Sequence, residues 1–335
     1  MNPDRIDVIA TTVSGSIADW KKVERIAPLF AEQGMAQVRM HVVEGHKEAR
    51  AKAAEVIAEG SRLLISAGGS GTFKNVLEGC CDSGVALEDL RLGFLRKGSA
   101  DLIGKVLKMP DEIGEAIAVF AEAIRADAVE LCDVLSAESF DGDLPLQHFV
   151  GYGGAEIFGR IPHFTENRFM KWYKGVLSQF FGDLGPFTTG MILSLAERMI
   201  KYPWAGHGRW KIVADGELVG EDRFQALVLV NGYLGPEMAF SSDRLGSGRF
   251  QLFGLRNQGM LRMPRQAMRA RSGAIKEDPE RWGLAEFSAK ESMELIPEKQ
   301  GPFPANVDGS TLICHGGLRV KRVGQIPLIA RADSD

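Results

Sequence analysis

Ile65-Ser66-Ala67-Gly68-Gly69-Ser70-Gly71-Thr72 decides the fold class of this 335-residue chain. A short apolar run breaks into glycines, where backbone amides unshielded by side chains can approach an anion such as phosphate. The spacing is neither G-x-x-x-x-G-K-[ST] nor G-x-G-x-x-G, so a P-loop NTPase and a dinucleotide-binding Rossmann turn are not the first readings. Taken alone, the stretch also fits a plain strand-to-helix turn.

Outward from it, apolar strands alternate with helical spacing. Val8-Ile9-Ala10, Ala36 to Val43, Leu63 to Ser66 and Leu92 to Leu95 read as strands. Ala18 to Gln33, interrupted by Pro28, and Lys47 to Glu59 read as helices. That alternation predicts a parallel sheet covered on both faces, with ligands at the carboxyl ends of the strands. There lie Ser14-Gly15-Ser16, Gly68 to Thr72 and Lys97-Gly98-Ser99. The later chain changes character: Phe149-Val150-Gly151, Lys211-Ile212-Val213, Ala226 to Val230, Gln251-Leu252-Phe253 and Leu318-Arg319-Val320 are short strands between turns. The reading is an α/β domain over residues 1–135 and a β-rich domain over 136–335, joined by a loop within Ser136 to Asp143, the last strands free to return to the first domain.

Composition bounds the partners. With 40 basic against 44 acidic residues the net charge is −4, which argues against a general nucleic-acid binder. Cys80, Cys81, Cys132 and Cys314 show no C-x-x-C spacing and fit a reducing, cytoplasmic compartment. No secretory leader and no membrane-spanning run is expected. Histidines 163, 207 and 315 are scattered without zinc-ligand spacing. The stretch from Phe158 to Phe181 carries aromatics near helical spacing, the pattern of a core or of an acyl pocket. Met260 to Arg271 is basic and amphipathic, the pattern of a solvated packing helix or of one resting on anionic headgroups.

Gly68-Gly69-Ser70-Gly71-Thr72-Phe73-Lys74-Asn75-Val76-Leu77-Glu78-Gly79 resembles the G-G-D-G-T-I-N-E-V-V-N-G signature of the diacylglycerol and sphingosine kinase superfamily, whose core NAD kinases share. Ser14-Gly15-Ser16, Gly45-His46-Lys47-Glu48-Ala49, Leu92 to Asp101, Asp215-Gly216-Glu217, Asn231-Gly232 and Val307-Asp308-Gly309 resemble further family segments in the family's order. The resemblance implies a β-sandwich-like second domain, ATP and Mg²⁺ as cofactors, and phosphorylation of a lipid or lipid-like alcohol. The partners implied are that lipid, an anionic membrane surface on the inner face, and at most a second copy of the chain.

It also implies site residues. Ser14, Gly15, Ser16, Gly68, Gly69, Ser70, Gly71, Thr72, Asn75, Gly98 and Ser99 would border the nucleotide, and His46 would either touch it or cap its helix. Asp308 would be the base for the acceptor hydroxyl, with a plain hairpin turn as its alternative. The chain departs from the family at Ser70, where the signature has Asp, and at Lys74-Asn75, where it has Asn-Glu. Ser247-Gly248 stands where a metal loop has Asp-Gly, leaving Asp243 as the nearest carboxylate. Either Lys74, Arg96 and Lys97 steady the phosphates while metal arrives with ATP, or the chain is a nucleotide- or lipid-binding protein whose catalysis has decayed. A kinase of a soluble acceptor is the third reading.

Overall fold

The computed structural model describes residues 5–11, 20–35, 37–96, 102–142, 145–162, 190, 192–194, 196–197, 200, 208–259 and 261–331. Ser14, Gly15, Ser16, Lys97, Gly98, Ser99, His163, His207 and the aromatics from Phe164 to Phe181 lie outside them. The chain divides into two units, Met1–Val134 with Gly324–Asp335, and Leu135–Val323.

The first unit is built as strand and helix in turn: β1 (Ile6–Thr11), α1 (Trp20–Glu32), β2 (Val38–Val43), α2 (His46–Ala58), β3 (Leu63–Gly68), α3 (Ser70–Asp82), β4 (Arg91–Arg96), α4 (Leu102–Val106) and α5 (Ile113–Ala126). β2, β1, β3 and β4 are neighbours in that order and all parallel. β1 and β3 are buried at every residue, as expected of strands covered on both faces. Helix α3 lies against α2 so closely that a Cβ on Gly79 would stand 2.3 Å from the Arg50 carbonyl oxygen and 2.5 Å from the Ala53 methyl. Gly93 of β4 likewise leaves room for the Phe120 ring of α5, and Phe94 stacks on Phe73 with ring centroids 4.6 Å apart.

The second unit is mostly strand. It comprises the end of β5 (Val129–Ser139), then β6 (Gln147–Phe149), β7 (Tyr152–Glu156), β8 (Arg209–Ala214), β9 (Glu217–Val230), β10 (Phe250–Arg256), helix α6 (Met263–Arg271), β11 (Leu284–Ala289), β12 (Ser292–Pro297), β13 (Phe303–Val307), β14 (Ser310–Cys314) and the first half of β15 (Leu318–Ile329). One layer runs β14, β13, β7, β9, β10, β11, and the other runs β9, β8, β12, β15, all antiparallel. The long strand β9 serves both, pairing β8 through Glu217–Arg223 and then β7 and β10 through Phe224–Val230. Strands that pass between layers are how sandwich corners are made. Trp210, Ile212, Phe224, Leu227, Leu229, Phe250, Leu252, Met293 and Leu295 form the core.

β5 continues through Ser139 before the Asp141-Gly142 turn. One sequence expectation changes. Val150-Gly151 is not strand but the connection between β6 and β7, for a reason given by the site. Beyond Gly324 the chain returns to the first unit, where Leu328 of β15 pairs in parallel with Leu92 of β4.

Candidate functional site

In the first unit the glycine turn converts β3 into α3. Gly68 ends the strand, and Gly69, which has no side chain to cap with, is the helix N-cap with φ −89° and ψ −178°. The amides of Thr72 and Phe73 bond back to the Gly69 carbonyl. The end thus keeps the positive pole and leading N–H groups that a helix offers to anions. Ser70 is exposed at its start, and the Asn75 amide donates to the Gly71 carbonyl at 2.9 Å.

His46 is the first residue of α2, after the N-cap Gly45. The Glu48 carboxylate accepts the Glu44 N–H at 2.8 Å, a single bond across the helix start. The His46 ring lies directly over Gly71, where an added Cβ would meet ring carbon Cε1 at 2.8 Å and Nε2 at 3.0 Å. The structure therefore brings His46 and the glycine turn together, and only glycine at position 71 lets them approach. Burial pushes the imidazole below its ordinary pKa, favouring the neutral ring. Thr72 is also tied in: its hydroxyl and that of Thr11, at the end of β1, are 2.6 Å apart and buried. Sequence reasoning missed Thr11, whose signal was its place at the carboxyl end of the first strand.

Both expected phosphate cations of the described residues are buried. Lys74 is 6% exposed on α3. The Arg96 side chain, 4% exposed, places its guanidinium 2.9 Å from the Asp111 carboxylate and donates to the Met109 carbonyl at 3.4 Å.

In the second unit two separate segments converge on the backbone of Val150-Gly151-Tyr152. The Asp308 carboxylate accepts the N–H groups of Val150 (3.1 Å), Gly151 (3.2 Å) and Tyr152 (2.7 Å). The buried Asn231 amide donates to the Val150 carbonyl at 2.9 Å, and the Asn231 N–H to the Gly151 carbonyl at 2.9 Å. These bonds take the backbone groups that a strand pair would use, which is why Val150-Gly151 is a turn. Gly151 is obligatory, since a Cβ there would stand 2.5 Å from Asp308 Oδ1. Gly232, at φ +92°, packs on the Arg244 carbonyl, and the Tyr233 N–H donates to the Asp243 carbonyl at 2.7 Å.

Asp243, the carboxylate expected to ligate metal, is clasped by Arg249, with Nε 2.8 Å from Oδ2 and Nη2 2.9 Å from Oδ1. The Ser247 hydroxyl donates to the Arg249 carbonyl at 3.0 Å. The residues of this loop do not fit Mg²⁺, which wants several hard oxygen ligands: the one carboxylate is neutralised by a guanidinium, and its neighbour is a hydroxyl. Among the described residues no group of three or more His, Cys, Asp or Glu side chains gathers around a common point.

The succession of a parallel α/β unit and a two-layer β unit is a fold that solved structures share. Residues 5–134 match the family model of the diacylglycerol kinase catalytic domain, so the resemblance read from the glycine signature holds there. A diacylglycerol kinase from Bacillus anthracis str. Sterne shares the fold at 17% identity and a TM-score of 0.66, with 98% of each chain covered. A putative diacylglycerol kinase from the same organism gives 17% identity and a TM-score of 0.69, covering 98% of this chain and 96% of that one. No curated protein matches the chain in sequence. Among the described residues, no helix is long and apolar enough to cross a membrane.

Proposed function

We propose that the chain transfers the terminal phosphoryl group of ATP to a hydroxyl of a lipid or lipid-like alcohol. The observation that carries this is the glycine turn at the amino end of α3, where Gly71 lies directly under the His46 ring. Phosphoryl transfer asks little of a protein beyond positioning, charge stabilisation and a base. The Gly68–Gly71 backbone and the first amides of α3 would hold the phosphates, and the Thr11–Thr72 contact would fix that helix end against β1. Asp308 would accept the hydroxyl proton. Mg²⁺, bound with the nucleotide, would supply charge neutralisation, since the Asp243 loop is closed by Arg249.

A second reading, a nucleotide- or lipid-binding protein without turnover, is favoured by Ser70 in place of the signature carboxylate and by the Asp243–Arg249 pair. The glycine turn also serves kinases of soluble acceptors. One experiment separates the three: transfer of labelled phosphate from ATP to a total lipid extract, with and without Mg²⁺, beside thermal stabilisation by ATP. Labelled lipid supports the proposal. Stabilisation without transfer supports the binding protein, and label confined to the aqueous phase supports the soluble acceptor. Gly71→Val should abolish stabilisation by ATP, and unchanged ATP affinity in that variant would remove the nucleotide from this turn.

A further inference from the structure

The hard oxygens of the loop over residues 241–249 are met by donors of the chain itself. The Asp243 side chain is only 16% exposed, and the Arg249 guanidinium lies against both of its oxygens. The Ser247 N–H donates to the Arg244 carbonyl at 3.3 Å, and the Ser247 hydroxyl to the Arg249 carbonyl at 3.0 Å. The Asp243 N–H donates to the Ser241 hydroxyl oxygen at 3.0 Å, and the Asp243 carbonyl accepts the Tyr233 N–H at 2.7 Å. A carboxylate and several carbonyls on one short turn are the kind of ligand a hard divalent ion gathers. A guanidinium, with its fixed fork of donors, satisfies the carboxylate alone and calls for no further oxygen.

The same loop supports the backbone that Asp308 grips. Gly232 packs on it so closely that a Cβ would stand 2.8 Å from the Arg244 carbonyl oxygen and 3.0 Å from the Leu245 nitrogen. One residue earlier, Asn231 donates its amide to the Val150 carbonyl and its N–H to the Gly151 carbonyl. The N–H groups of those two residues and of Tyr152 are the ones the Asp308 carboxylate accepts. Contacts therefore run from Arg249 through Asp243, the turn at 231–233 and the Val150-Gly151 backbone to Asp308. We infer that Arg249 is the cation of this loop, doing within the chain what a bound divalent ion does in a metal loop, and that it is a positioning residue for Asp308. The first half stands on the geometry; the second rests on the proposed function, which makes Asp308 the base.

The test is thermal melting without nucleotide, in EDTA and in Mg²⁺, beside phosphate transfer assayed in Mg²⁺. The native chain should melt at one temperature in both buffers, and Arg249→Leu should melt lower in both. Ser247→Asp with Arg249→Leu restores the Asp-Gly of a metal loop and removes the guanidinium. That double variant should melt higher in Mg²⁺ than in EDTA, since an ion bound only by the folded chain stabilises it. Misplacement remote from the chemistry costs up to about 10²-fold in rate. Turnover should fall toward that extent in Arg249→Leu, with KM for ATP unchanged, and recover in the double variant. A native chain stabilised by Mg²⁺, an Arg249→Leu variant that melts as the native chain does, or a double variant indifferent to Mg²⁺ would overturn the inference. Should the double variant not fold, Arg249→Ala in millimolar guanidinium chloride decides instead: a recovered melting temperature sustains the inference, and no recovery overturns it. Native turnover in a lower-melting Arg249→Leu would strike out the positioning role. Melting as expected in a chain that transfers no phosphate would sustain the cation of the loop and sink the kinase reading.

Discussion

Asp308 and Asp215 occupy equivalent positions in two copies of one backbone device. Each opens a two-residue Asp-Gly hairpin, β13 to β14 and β8 to β9, with φ of +46° and +49°, followed by glycines at +81° and +85°. Each donates its own N–H to the last of three consecutive residues, Tyr152 or Ser292, and accepts the N–H groups of all three. Asparagine at either position loses an acceptor oxygen, and an unsatisfied amide costs about 1–3 kcal/mol when buried. Asp308→Asn and Asp215→Asn should both lower the melting temperature. A base contributes about 10²- to 10⁴-fold to turnover, so only Asp308→Asn should also lower kcat by that factor, with ATP affinity retained. Equal kcat in the two folded variants would reduce Asp308 to a hairpin residue.

The twin device also sets an acid limit. Burial raises the pKa of the Asp215 carboxyl, but the amides of Lys290, Ser292 and Glu291 outweigh it and hold the group below its ordinary 3.8. A depressed folded pKa means stability that is present above about pH 4 and lost as pH falls through the folded value. Urea midpoints of Asp215→Asn should accordingly converge on those of the native chain as the pH is lowered below 4. A constant gap at every pH would contradict it.

His46 shifts stability in the same sense from a different cause. Burial depresses its pKa below 6.5, so the unfolded chain binds more protons there, and stability rises with pH from the folded value to about 6.5. Replacement by Gln should flatten that part of the stability profile. Gly71→Ala, which presses a methyl on the ring, should be less destabilising in a His46→Ala background, and the double-mutant cycle measures the contact directly.

Gly79→Ala offers a purely structural control. Its methyl would collide with the Arg50 carbonyl, a backbone atom that cannot step aside, so the helix-propensity gain is overwhelmed and α2 and α3 must separate. Overpacking of this kind costs about 1–3 kcal/mol. A melting temperature at or above that of the native chain would mean the two helices do not approach this closely.

Arg249→Met should uncover Asp243. The native chain is expected to melt at one temperature with EDTA or with Mg²⁺, because a guanidinium already balances the carboxylate. The methionine variant should melt lower. A native chain destabilised by EDTA would show that the loop holds metal after all. Beside it, Ser70→Asp tests the vacancy in the glycine signature: under the retained-activity reading it does not raise turnover, whereas activation of a silent protein would mark decay at this one position.

The alternation of the first unit was legible because its strands and helices are each written by local periodicity, and the glycine turn by composition alone. Most observed elements there begin and end within a few residues of the expectation, as with Leu63–Gly68 for Leu63 to Ser66. The site was legible only where chemistry is local. Nothing near Val150-Gly151 in sequence announces that Asn231 and Asp308 will consume its backbone groups, and nothing near Arg96 announces Asp111. The Asp243–Arg249 clasp, by contrast, spans a short loop and could have been weighed from the charges alone.

The return of β15 makes the amino-terminal unit the last to be finished. Until Leu328 reaches Leu92, β4 presents an unpaired edge, and the bonds from Gln325 to Asp133 and from the Arg331 N–H to the Leu107 carbonyl are missing as well. On the ribosome the residues that make up most of the nucleotide unit emerge first and close last, after the whole β-rich unit has been synthesised. An open strand edge of that kind is a template for pairing with another chain. Expression of residues 1–134 alone should therefore yield an aggregation-prone fragment, and a covalently appended copy of residues 318–331 should rescue its solubility.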